Sequence, residues 1–155
     1  MFRRRSIGTC VRWSVLLFAC AFAASCDEKL SNVTGPTPNL TVSFSSINQN
    51  ILAAADSAGR SNCTLCHAGP TPAGGLNLAT DPYSALVNKP STRRPGEILV
   101  IPGDAENSYL YKKITLDTGN PQITGNRMPR NGPPYLTDGQ IEVIERWINQ
   151  GAKNN

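Results

Sequence analysis

Apolar side chains fall in a few short clusters along this chain, separated by polar stretches rich in Gly, Pro, Ser and Asn. The first cluster is a continuous run, Val15 to Ala24, preceded by Arg3, Arg4 and Arg5 and closed by small residues. That run is too short for a comfortable membrane span and has the layout of an export signal, assigned to residues 1–25. Residues 26–44 carry Ser, Asn, Thr, Gly and Pro and too little apolar surface to order themselves, which predicts a flexible tether. Within it, Leu40 to Phe44 adds an extended segment at the domain edge. Residues 45–155 then have the length of one small domain.

Helical spacing dominates that domain. Ser45 or Ser46 is placed to cap a helix with Ile47, Ile51, Leu52 and Ala55 on one face, ending near Gly59. Asp81-Pro82 fits an N-cap followed by proline at the first helical position, opening a short helix with Tyr83, Leu86 and Val87. Glu97 to Pro102 reads as an extended apolar segment. Asp104 is expected to cap a helix running to about Lys113, with Leu110 and Ile114 inward and Lys112 and Lys113 complementing its dipole. Thr137 and Gln140 form a capping box for the last helix. There Ile141, Ile144 and Ile148 make one stripe beside Trp147, Glu142, Glu145 and Arg146 face water, and Gly151 supplies the stop. The predicted fold is mainly α, with four or so short helices joined by long loops.

Charge excludes one class of function. Four of the 15 Lys and Arg (Arg3, Arg4, Arg5 and Arg12) lie in the export signal, and all 11 Asp and Glu follow it. The exported chain is formally neutral, so no electrostatic argument for nucleic-acid binding survives. Composition adds a second point. Large apolar side chains are few and Gly and Pro many, and such a domain is marginal without a staple or a bound core.

The chemistry lies in Cys63-Thr64-Leu65-Cys66-His67. Two thiols on one turn can each add across a vinyl group of haem, and the next residue then offers an imidazole to the iron. The pattern reads as covalent haem attachment, with His67 as the first axial ligand. Three other readings compete. A Cys63–Cys66 disulfide suits an oxidising compartment but leaves His67 without a task. A structural zinc site needs four ligands, and the exported chain has no second Cys pair. A thioredoxin-like pair needs a βαβ setting that these flanks do not give.

Cys10 and Cys20 fall within the signal. Ala23-Ala24-Ser25-Cys26 resembles a lipoprotein processing box with Cys26 as the lipidated residue, and plain signal-peptidase cleavage is the alternative. His67 is the one histidine, and Met128 is the one methionine apart from Met1. Met128 lies among Arg, Pro and Gly rather than in an apolar stripe, which makes its thioether the candidate second ligand. A packing methionine is one competing reading. A sixth position open to water or a small ligand is the other, suiting sensing or catalysis where His/Met ligation suits electron transfer.

These pieces resemble class I cytochromes c over roughly residues 45–152. The shared order is an N-terminal helix, Cys63 to His67, the loop Gly75-Leu76-Asn77-Leu78, Met128-Pro129, and an amphipathic helix around Trp147. Short domains of planctomycete type are the nearest variant, through Pro102-Gly103-Asp104, the Arg-Met-Pro loop, and Trp147-Ile148 with Gly151-Ala152. The resemblance implies a cytochrome c-like fold wrapped around one covalent haem c, its iron held by His67 and Met128. It implies a carrier of single electrons between redox partner proteins at the outer side of a bacterial membrane, with no enzyme activity. Together with Cys26 it implies a periplasmic protein tied to the membrane by a lipid. A haem-based gas sensor or haem enzyme subunit with an open sixth position stays as the alternative, as does a non-redox module with haem as its core.

Finer expectations follow, most from the residues themselves and the histidine's acceptor from the resemblance. Leu65, Leu76, Leu78, Leu86 and Leu110 are candidate haem walls, with Tyr83, Ile101 and Trp147. In many family members the loop reads Gly-Pro-Asn-Leu, and the proline carbonyl accepts a bond from the second nitrogen of the haem histidine. Leu76 holds that place here, and Gly69 and Pro70 are alternatives. Tyr109, Arg93 or Arg94 is a candidate propionate partner. Arg127 and Arg130 are candidates for steering an acidic partner.

Overall fold

The computed structural model describes residues 40–54 and 62–155. The export run, Cys26, the tether to Asn39, and Ala55 and Gly59, which the spacing assigns to the first helix, lie outside the described residues. What is described is mainly helical, with four short α-helices and, among the described residues, no strand. They are α1 (Phe44–Ile47), α2 (Pro82–Leu86), α3 (Tyr109–Thr115) and α4 (Asp138–Asn149). None is long and apolar enough to cross a membrane.

α1 begins earlier than its spacing suggests. Its N-cap is Ser43, whose hydroxyl accepts the Ser46 N–H at 3.2 Å. The reason is Phe44, assigned by pattern to the tether but only 5% exposed. Its ring lies 5.3 Å from Trp147 and meets Tyr83 edge-on at 5.2 Å. The C-terminal residue closes this end. Asn155 accepts the Phe44 and Ser45 N–H groups through its side-chain and main-chain oxygens, at 3.0 and 2.8 Å. Two of the donors that a helix start leaves unpaired are satisfied in this way. After Ile47 the chain widens into a π-helical turn, Asn48–Leu52, closed by the Ala53 N–H on Asn48 O. Residues five apart then share a face, which buries Ile47 and Leu52 together.

Local signals set α2 and α4. Asp81 accepts the Ser84 N–H at 3.1 Å, and Pro82 follows at the first position. In α4, Thr137 and Gln140 cap each other reciprocally at 3.0 and 3.2 Å. The helix ends in a Schellman motif, with Gly151 at φ +96°, its N–H on Ile148 O, and the Ala152 N–H on Trp147 O. Val143 and Ile148 are fully buried in α4, beside Ile144 and Trp147. Trp147 Nε1 donates to Lys153 O at 2.8 Å, and the Tyr83 hydroxyl to Ala152 O at 3.0 Å. The tail therefore locks α1, α2 and α4 into one core.

α3 starts at Tyr109, five residues after the expected cap. Asp104 instead spends both carboxylate oxygens on Asn107, on its N–H and its side-chain amide. The first free donors of α3 go to an extended segment, Tyr109 N to Ile98 O and Leu110 N to Leu99 O, both at 2.9 Å. That segment pairs through single bridges, Pro90 with Ile98, Val87 with Val100 and Ile101 with Asp104. It is a strap that positions α3 rather than a sheet strand.

Candidate functional site

Asn62 caps a single 3-10 turn, Cys63–Leu65, by accepting the Leu65 N–H at 3.0 Å. The Cys66 and His67 N–H groups both return to Cys63 O, at 3.2 and 2.9 Å. One tight turn thus presents both cysteines and the histidine together. Both thiols are free. Cys66 is exposed, whereas Cys63 is partly buried with its Sγ 3.8 Å from Ile51 O. Burial pushes the Cys63 thiol up to about 11, with the neighbouring Cys66 adding to the rise against a backbone hydrogen bond that opposes it. Among the described residues no group of three or more His, Cys, Asp or Glu side chains is placed to hold a metal ion.

His67 is oriented from behind. Its Nδ1 lies 2.9 Å from Ala73 O. As donor in that bond, Nδ1 carries the ring proton and leaves Nε2 as the basic nitrogen, the second-sphere arrangement usual for metal-bound histidine. The acceptor is thus Ala73, neither Leu76 nor Gly69 nor Pro70. The 3-10 turn Ala73–Gly75 turns that carbonyl towards the ring, and positive φ at Gly74 (+63°) and Gly75 (+71°) makes the turn possible. The chain then runs back along His67, with Leu78 N on His67 O at 2.7 Å.

His67, Cys63 and Cys66 open onto a cleft of about 1160 Å³. Its walls come from the Ala73–Leu78 loop, α2, the Lys89–Arg93 loop, α3, and the 124–131 segment with Met128. Clefts that take drug-sized ligands run to roughly 300–1,000 Å³, so this one is at least as roomy as most. Leu65, Leu76, Leu78, Leu86 and Leu110 line it as expected. Tyr83, Ile101 and Trp147 do not, and Trp147 belongs to the α1–α4 core instead. Sequence reasoning missed Leu52, Leu99, Ile114 and Leu136 as wall residues. Leu52 and Ile114 were legible as apolar helix positions, but their place in the cleft follows only from packing.

The polar candidates separate clearly. Arg93 and Tyr109 line the cleft, and Arg94 is drawn to Glu97 at 3.6 Å instead. The Tyr109 hydroxyl accepts the Thr124 N–H at 2.9 Å. Arg127 is folded back: its Nε donates to Ile114 O at 2.9 Å and its guanidinium lies 4.4 Å above the Tyr135 ring. It is no free steering charge, whereas Arg130 is exposed at the cleft.

Gly132 makes room for that ring. A Cβ there would lie 2.5 Å from two Tyr135 ring atoms. Gly132→Ala is therefore expected to destabilise the protein by about 1–3 kcal/mol. Adding Tyr135→Ala should remove most of that increment in a double-mutant cycle measured by denaturant unfolding. Additive losses would show that the ring is not the obstacle.

Comparison with known proteins leaves this geometry to stand alone: no family model matches the chain, and no match arises among curated proteins or solved structures.

Proposed function

We propose that this chain is a mono-haem c-type cytochrome of class I type, exported and tied to the outer side of a bacterial membrane through a lipid on Cys26. In this reading it passes single electrons between redox partner proteins. The observation that carries the reading is the Nδ1 bond of His67 to Ala73, which frees Nε2 beside a large apolar cleft that Met128 also lines. Cys63 and Cys66 would hold the porphyrin by two thioethers, and His67 and Met128 would be the axial donors. A nitrogen and a soft thioether suit haem iron, and that pairing raises its potential. Bound haem supplies a reversible one-electron couple. The protein's part would be to hold the ligands and to exclude water with the leucine walls of the cleft. No side-chain acid, base or nucleophile is required, so the chain acts as a carrier rather than an enzyme.

Protein exported from a host with a c-type maturation system tests this directly. The intact mass should rise by one haem, and the Cys63–Cys66 peptide should retain the porphyrin after denaturation. Exported protein with no added porphyrin would end the proposal.

A further inference from the structure

The C-terminus of α3 is where the methionine loop is moored. A helix end leaves its last carbonyls without intrahelical partners. Here Lys113 O accepts the Met128 N–H at 2.8 Å, and Ile114 O accepts Arg127 Nε at 2.9 Å. The cation also suits the negative end of the helix dipole. The Lys113 side chain then reaches the same loop from the cleft side. Its ammonium donates to Thr124 O at 3.0 Å and to Asn126 O. One residue thus grips the 124–128 segment at three points, and it lines the cleft beside Met128. A solvated lysine would serve no such purpose, because ordering a long side chain against main-chain carbonyls costs rotamer entropy.

From this geometry we infer that Lys113 is a positioning residue for Met128, its ammonium and carbonyl together setting how far the thioether stands into the cleft. The inference rests on the axial role proposed for Met128. Without the two side-chain bonds the loop would keep its sulfur but lose its placement, and the sixth iron position would be open for part of the time. A small neutral ligand such as carbon monoxide would then compete where it is normally excluded.

The test uses haem-loaded, full-length protein. Lys113→Leu keeps an apolar stem and removes the donors, and Lys113→Arg restores them. The readouts are the weak far-red band of the ferric form and the rate of carbon monoxide binding to the ferrous form. Lys113→Leu is expected to lose most of the band and to bind carbon monoxide about ten-fold faster, the scale set by losing charged hydrogen bonds. Lys113→Arg should recover both. If Lys113→Leu does not fold, Lys113→Gln is compared with Lys113→Arg, and equal bands overturn the inference. A wild type with the band and an unchanged Lys113→Leu overturn the mooring role alone. A wild type without the band overturns the axial role of Met128 and this inference with it.

Discussion

Haem-loaded Met128→Ala is expected to lose the ferric far-red band, to bind carbon monoxide rapidly once reduced, and to fall in midpoint potential by on the order of 0.1 V or more. The last figure is modest against the roughly 0.8 V range that axial ligands command. The resemblance to class I cytochromes c implies the band for a thioether on iron. Met128 lines the cleft and packs against the edge of the core. Its removal therefore also leaves a small packing defect, and stability alone would not identify a ligand. The spectrum and potential would, because a packing methionine touches neither. A wild type that already lacks the band and binds carbon monoxide as fast as the variant would favour the open-site reading, a sensor or an enzyme subunit. Either reading would use His67 as the proximal donor.

What could be read in the sequence was what the chain decides locally. The Cys63–His67 turn, the Asp81-Pro82 start and the Thr137/Gln140 box each involve residues within four positions of one another, and each has the expected geometry. The α1 start was not decided locally. Ser43, Ser45 and Ser46 are all chemically fit to cap, and the choice follows from Phe44 reaching Trp147 more than a hundred residues away. Asp104 looked like a helix cap because it caps something, yet Asn107 satisfies it within one turn and α3 begins later. The His67 acceptor depended on two left-handed glycines, whose positive φ at Gly74 and Gly75 no apolar spacing encodes. Arg127 looked like a surface charge beside Met128. Its true partners, Ile114 and Tyr135, lie on segments that meet it only in the folded chain. Local chemistry thus marked the candidate ligands, and tertiary packing determined what holds them.

The second large effect is expected from removing the attachment points. Cys63→Ser/Cys66→Ser, expressed without haem, should retain some helical signal but show no cooperative thermal transition. The two sides of the molecule differ in what they can bury unaided. The α1–α4 side closes on itself through Phe44, Ile47, Trp147 and Ile148, all at most 5% exposed. The α3 side faces the cleft with Leu76, Leu99, Leu110 and Leu136, each only partly buried. Each fully buried leucine is worth about 1.5–3 kcal/mol, and a domain's whole stability is about 5–15 kcal/mol. Leaving several such side chains wet is therefore enough to melt that side. A sharp, near-native melting transition in the double variant would show that the leucine-walled side holds without its cofactor.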